Sequence, residues 1–435
     1  AFSLDLHDSD NDTNGTFAND LWAGSFTFAD SGNGEVTVTI NSEDSFYSSL
    51  SGNALNQSSV YYEFDIDKES ESFPATLTST GILSISGPFE EEIEQDFGWR
   101  YPANTYNLQR VADSGLFFMV SNEAAVRYAT VDTDNDGAKD AVDPAAKQGD
   151  EVFRTLELFS REPTAFTNAD LSGTFGRVHL ESWITGGIVE LQTETNTLTF
   201  DGAGNFDYGA VEGHLIGASS TNGATYSAVT EQADTNVPIV IAADGDIESV
   251  DGMESDGFIN DEYNFIAFNE ASGNNQATQN AEAEGSQTLM VKLPTSKPNV
   301  SGKKYRMLLT SMKLEASPAN DVNFLVSSSK FNTFLTMTSE TEGRVNGAFF
   351  EVRKDGLGGN VRIDTDRVTD ADISVSVGSN GAATLSVGSG DGGTTTMKGF
   401  FNEDAALGIF TLSYKESASA DPDELGLVVL VETDS

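Results

Sequence analysis

The chain has 435 residues, 69 acidic against 23 basic, for a formal net charge of −46. That balance excludes nucleic acid and anionic membrane surfaces as natural partners and makes cations, above all divalent ones, the natural counter-species. Cysteine is absent, which excludes disulfides, zinc–thiolate sites and thiol nucleophiles, and no apolar run is long enough for a membrane-spanning helix.

In chain order, the opening Ala1-Phe-Ser-Leu-Asp-Leu alternates, with Phe2, Leu4 and Leu6 on one face of a strand. This strand stands outside the repeat described below. It has two possible uses, laid on its own first domain or donated to a sheet edge of a neighbouring molecule, which makes Phe2, Leu4 and Leu6 a candidate assembly strand. The turn after it puts Asp8, Asp10 and Asp12 on alternate positions, a second candidate metal site in which Thr13 stands where a tight turn asks for glycine.

Short alternating runs follow throughout: Ser25–Phe28, Glu35–Ile40, Val60–Ile66, Gly115–Val120, Gly187–Gln192, Thr197–Phe200, Ile239–Ala242, Ile373–Val377 and Leu407–Ser413. Turn dipeptides such as Asn33-Gly34, Asp201-Gly202, Asp244-Gly245 and Asn380-Gly381 separate them, and long runs with a 3.6-residue apolar period are hard to find. The fold class is all-β. Three segments open alike, Leu21-Trp-Ala-Gly-Ser-Phe, Leu171-Ser-Gly-Thr-Phe and Val300-Ser-Gly-Lys-Lys-Tyr, and three closing strands also correspond, Thr155–Phe159, Thr288–Leu293 and Leu425–Val431. The implied organisation is an N-terminal strand and acidic turn (1–16) and three tandem antiparallel domains, 17–163, 164–297 and 298–435, with boundaries near Pro163 and Pro298. A period of about 130 to 150 residues suits one up-and-down barrel or small sandwich per repeat. The Leu-x-Gly-x-Phe opening is similar in style to bacterial lipocalin-like domains; that likeness carries no ligand residues with it.

One stretch carries specific chemistry. Asp132-Thr-Asp-Asn-Asp-Gly-Ala-Lys-Asp-Ala-Val-Asp places Asp132, Asp134 and Asp136 on positions 1, 3 and 5 of a loop, with Gly137 at 6, Asp140 at 9 and Asp143 at 12. Carboxylates on alternate positions converge on one centre, glycine permits the tight turn, and the backbone carbonyl of Ala138 supplies a further hard oxygen. The spacing resembles the calcium repeats of the thrombospondin type 3 family and departs from an EF-hand, which needs Glu at position 12 and flanking helices. The resemblance implies a Ca²⁺ ion held by Asp132, Asp134, Asp136, Ala138, Asp140 and Asp143. Asp132–Asp150 reads as a long loop within the last hairpin of the first domain, which calcium would order.

Other acidic groups, Asp244 to Asp256, Asp364 to Asp372 and Glu90 to Asp96, read as solvated turns and loops. The three histidines, His7, His179 and His214, lie far apart without metal-ligand spacing, and no nucleophile elbow or phosphate loop occurs. The chain reads as a non-enzyme. The expectation is an exported calcium-binding structural protein, a homo-oligomer or homopolymer forming an extracellular filament or surface layer through strand pairing and calcium-ordered loops. A start at Ala1, as after removal of a secretory signal, agrees with that compartment. The alternative is a secreted binding protein for a small apolar ligand or a surface glycan, for which Trp22, Trp99 and Trp183 would be contact residues.

Overall fold

A computed structural model describes residues 2–7, 15–32, 35–52, 54–67, 71–87, 90–93, 97–112, 114–133, 139–161, 163–274, 281–317, 321–388 and 392–433. The first unit contains β1 (Phe2–His7), β2 (Gly15–Gly32), β3 (Glu35–Gly52), β4 (Ser59–Asp67), β5 (Glu71–Leu77), β6 (Ile82–Gly87), β7 (Glu90–Ile93), β8 (Phe97–Tyr101), β9 (Asn104–Arg110), β10 (Phe117–Val131) and β11 (Ala141–Phe159). The second contains β12 (Ser172–Thr185), β13 (Ile188–Asp201), β14 (Asn205–Tyr208), β15 (Val211–Ser219), β16 (Gly223–Glu231), β17 (Asp234–Ile241), β18 (Asp246–Val250), β19 (Met253–Ile259), β20 (Phe265–Asn274) and β21 (Glu282–Lys292). The third contains β22 (Lys304–Ser317), β23 (Asp321–Ser329), β24 (Phe334–Met337), β25 (Glu342–Asp355), β26 (Val361–Val377), β27 (Ala382–Gly388), β28 (Thr394–Phe401), β29 (Leu407–Lys415) and β30 (Glu424–Glu432).

Every pairing among them is antiparallel, in sheets of eleven, ten and nine strands. The second sheet closes into an eight-strand barrel through β12–β13, and the third through β22–β30. In the first, hydrogen bonding runs from β11 through β1, β2, β3, β5, β6 and β9 to β10, which returns to β11. Three of the four expected turns are in place, with Gly202, Gly245 and Gly381 at φ of 73°, 96° and 78°, values that glycine adopts without a Cβ penalty; Asn33-Gly34 lies outside the described residues.

Alternation does two different jobs along each long strand. In one half, the residues facing into the barrel are apolar: Phe175, Leu198, Phe200, Phe206, Ile266 and Met290 fill the second barrel, and Tyr305, Met307, Leu335, Phe401, Phe410 and Leu430 the third. Farther along the same strands the polarity inverts. Val178, Leu180 and Ile184 of β12 point outward and are fully or almost fully buried, as are Leu308, Met312 and Leu314 of β22 and Phe2, Leu4 and Leu6 of β1. All belong to one hydrophobic core shared by the three units. Aromatic pairs cross it: Phe17 of the first unit stacks on Phe324 of the third at 5.1 Å, and Phe118 meets Phe265 of the second edge-on at 5.5 Å. The approach is close enough that a Cβ on Gly176 would lie 2.2 Å from the Phe400 ring of the third unit.

Several local readings change. β1 does not stand apart from the first unit: it pairs with β11 (Phe2 opposite Leu156) and with β2 (Phe2 opposite Leu21). It thus takes the place that β12 and β22 take in their units, each beside its unit's last strand. The Leu21 segment accordingly lies in a second strand, whereas Leu171-Ser-Gly-Thr-Phe leads into a first one; a shared Gly-aromatic pattern is too short to tell them apart. Gly187–Gln192 and Thr197–Phe200 fuse into the single strand β13. Glu90–Ile93 is strand rather than loop, paired with β8, and the Glu91 carboxylate accepts a 2.9 Å hydrogen bond from Arg100 Nε. Asp132–Asp150 is not one long loop, because β11 begins at Ala141.

A core assembled from the outer faces of three units couples their stabilities. Leu180→Ala, at a fully buried position of that core, is expected to cost about 2–5 kcal/mol. Differential scanning calorimetry should show one transition in the wild type and one, at lower temperature, in the variant. Three separable transitions would contradict the coupling.

Candidate functional site

The last pairs of the β10–β11 hairpin are Thr130 opposite Val142 and Val131 opposite Ala141, with Asp132, Thr133, Lys139 and Asp140 described beyond them. The Asp140 carboxylate accepts from the Thr133 backbone N–H at 2.8 Å and from the Thr133 hydroxyl at 2.6 Å, which hold it below the usual carboxylate range. Asp143 lies inside β11, in an irregular stretch where residues 143–146 stand opposite Ala129 alone, and accepts from Ala145 N–H at 3.0 Å. Asp132, Asp140 and Asp143 therefore lie near the end of one hairpin. Asp134, Asp136 and Ala138 lie outside the described residues, as do Asp8, Asp10 and Asp12. Among the described residues, no three of His, Asp and Glu converge closely enough to hold a metal ion.

Phe2, Leu4 and Leu6 are fully buried in the shared core, with ladders on both sides of β1. In this chain they offer no edge to a neighbour.

Among the described residues, a concentration of buried polar chemistry sits inside the second barrel, where the inward faces of β12, β13, β20 and β21 turn polar. Going up β12 from Phe175, the inward residues are Arg177, His179, Glu181 and Trp183. Across the ladders Arg177 faces Asn196 and Met290, His179 faces Glu194 and Thr288, Glu181 faces Gln192 and Ser286, and Trp183 faces Glu190 and Glu284. Glu270 of β20 lies beside Ser286. Arg177 pairs with Glu194 at 2.7 Å, both buried, and stacks on the Tyr208 ring at 5.3 Å. His179 is held by the Thr288 hydroxyl at 2.8 Å and by Glu181 at 3.4 Å.

Burial, with help from the Arg177 charge, pushes His179 down to about 3, so the ring is neutral. Burial, then the Glu194 charge, lifts Glu181 to about 7. Glu190 and Glu284 are raised by burial and by Glu181, and Glu270 chiefly by burial. Burial opposes the Glu194 charge too, but the Arg177 guanidinium and the hydrogen bonds from Arg177 and Gln192 hold the group low. Five carboxylates thus share the polar part of the barrel, where Arg177 neutralises one.

The third barrel repeats the theme differently: Lys313 is clasped by Glu315, Glu416 and Asp423 at 3.0, 3.0 and 2.9 Å. Sequence reasoning missed this cluster because its members span residues 177 to 284 on separate strands, and His179 by itself reads as incidental. The available signal was the polar run Arg177, His179, Glu181 on the same parity as the core residue Phe175.

His179 and Glu181 bend stability in opposite directions. The folded state refuses a proton at His179 that the unfolded chain takes up below about 6.5, so this group costs stability as pH falls from about 6.5 towards 3. The folded state keeps a proton on Glu181 that the unfolded chain releases above about 4.5, so this group costs stability as pH rises from about 4.5 to 7. Relative to wild type, Glu181→Gln should lose more stability on acidification from pH 7 to 5 and His179→Asn less, each by about 2 °C or more in Tm. Parallel Tm–pH curves for all three proteins would refute the assignment. The chain matches no protein-family model and no curated protein sequence.

Proposed function

We propose that this protein is an exported, calcium-binding structural subunit that assembles by strand pairing into an extracellular filament or surface layer. The observation that carries the reading is the fusion of three barrels around one core, with side chains filling the barrels' apolar halves. Such a body is a rigid block, and its interior packing weighs against a central cavity for an apolar ligand. Since β1 is paired on both sides, assembly would use other edges. Among the described residues β4 pairs only with β3, β16 only with β15, and the Arg362–Ala371 part of β26 only with β25. These strands hold corresponding positions in the three units, so each unit carries one such edge. Tyr61 and Phe64 of β4 are 47% and 58% exposed, and Ile363 of β26 is 51% exposed; exposed apolar side chains on an open edge favour strand addition.

Calcium would be held at the β10–β11 tip by Asp132, Asp134, Asp136, Asp140, Asp143 and the Ala138 carbonyl. It would neutralise carboxylates on a surface whose net charge of −46 otherwise opposes close approach of copies.

Electron microscopy of purified protein with calcium, with chelator and with Tyr61→Lys/Phe64→Lys tests the assembly reading. Ordered polymers with calcium, lost in the other two conditions, are expected; monodisperse particles in every condition would sink it. Separately, saturating calcium at about 100 times Kd should add about 2.7 kcal/mol of stability. The Tm gain should vanish in Asp134→Asn/Asp136→Asn, and a gain that persists there would place the ion elsewhere.

A further inference from the structure

The open edges of the three units are not alike. Within its nine residues β4 carries Glu63, Asp65 and Asp67, β7 is Glu90-Glu-Glu-Ile, and the open part of β26 carries Arg362, Asp364, Asp366, Arg367 and Asp370. Charges of this kind keep an edge strand from pairing with another chain. β16 has no such guard. Gly223-Ala-Thr-Tyr-Ser-Ala-Val-Thr runs up to Glu231 without a charge or a proline, and no charged residue lies between Glu212 and Glu231 in the whole β15–β16 hairpin. Its ladder to β15 is continuous from Val211 opposite Glu231 to Ser219 opposite Gly223, with no bulge to twist the edge away. Among the described residues β16 pairs with β15 alone, and Ala224, Ser227, Ala228 and Thr230 are exposed, on both faces of the strand.

Electrostatics selects the occupant. In a molecule of net charge −46, a second copy approaches closely only where carboxylates do not meet carboxylates, and β16 is a neutral strip that satisfies this for both copies at once. Orientation follows from its one charge. Full antiparallel overlap of Gly223–Glu231 with itself sets Ser227 opposite the same residue of the second copy, Thr225 opposite Val229, Tyr226 opposite Ala228 and Glu231 opposite Gly223. The two Glu231 carboxylates then stand eight residues apart, about 27 Å at the rise of a strand. That is well beyond the ~8 Å reach of a charge at physiological salt. Parallel overlap would instead stack Glu231 on Glu231. The β-branched Thr225 and Val229 become a cross-strand pair of the kind that stabilises antiparallel sheets.

We infer that β16 pairs antiparallel with β16 of a second copy, joining two second barrels through one continuous ladder. The junction is isologous and closes on a dimer, so a filament needs a further edge, such as β4, to link dimers. The inference rests on the strand-pairing reading of assembly, but the junction it names requires neither calcium nor Tyr61 and Phe64.

Sedimentation of the full chain in chelator separates the two. Dimers that dissociate on dilution are expected, in the wild type and in Tyr61→Lys/Phe64→Lys alike. Ser227→Lys sets two ammonium groups face to face and should weaken the dimer about tenfold or more, although it makes each copy less acidic. Its Tm should stay near the wild type, because the position is exposed. Added salt should tighten the dimer, since the junction holds no ion pair and only the repulsion between acidic bodies is screened. The chain has no cysteine, so Ser227→Cys offers one thiol per copy. Directly opposed residues have Cα atoms about 4.5–5.5 Å apart, within disulfide range, and this variant should oxidise to a covalent dimer. Ser79→Cys, at the exposed turn between β5 and β6, should not. Wild-type monomers at every concentration, a dimer unmoved by Ser227→Lys, a dimer that loosens with salt, or equal cross-linking of both cysteine variants would each overturn the inference. A dimer that persists while calcium yields no polymer would uphold the junction and overturn the filament.

Discussion

The arrangement rests on one constraint: the apolar outer faces of three barrels must be buried against one another. A barrel in water keeps its apolar residues inside and its polar residues outside. Here the rule holds for half of each long strand and reverses in the other half, where Val178, Leu180 and Ile184 face outward and Arg177, His179 and Glu181 face inward. Neither half tolerates the alternative. Exposing the outward face of β12, β22 or β1 would put continuous apolar surface in water, and removing the inward polar residues would leave apolar walls open to solvent. The shared core and the acidic interior are thus two sides of the same strands.

That reversal explains what was legible in the sequence and what was not. Alternation marks a strand and sorts its residues into two faces, so the strands, their antiparallel order and the turn glycines at 202, 245 and 381 could be read directly. It does not say which face is inside. In β12 the parity of Phe175 is the barrel interior throughout, yet its content changes from aromatic to charged within two residues. Phe2, Leu4 and Leu6 read as an apolar face seeking a partner; in the folded chain that face lies in the core shared by the three units, with β1 beside β23 of the third, too far along the sequence for local pattern to reveal. The aspartates of 132–143 could be nominated together because they lie in one short segment, whereas Glu181, Glu190, Glu194, Glu270 and Glu284 become neighbours only after three ladders form.

Polar contacts between the units are fewer but specific. Arg306 of the third unit donates from Nε to Gln109 of the first at 3.0 Å. The Ser58 hydroxyl of the first accepts from Gly187 N–H of the second at 2.9 Å, and Thr195 and Thr411 join the second and third at 3.1 Å. Arg154 lies over the Phe350 ring at 5.3 Å. Apolar burial is non-directional and would tolerate small rotations of one barrel on another; these hydrogen bonds and the Gly176–Phe400 approach fix the mutual orientation.

The place of β1 also has a bearing on how such a chain comes to be folded. Phe2–His7 is synthesised ahead of everything else described, yet its first ladder needs Glu151–Leu156 and its outward face is covered by residues as distant as Phe324 and Val326. Contacts of such long range form slowly. Until the third unit has emerged, the leading unit carries an uncovered greasy flank beside open strand edges, the combination most prone to wrong association. Productive maturation therefore favours keeping the chain apart from its siblings until its last strand is in place, and the strong mutual repulsion of so acidic a polypeptide serves that end before it serves any other.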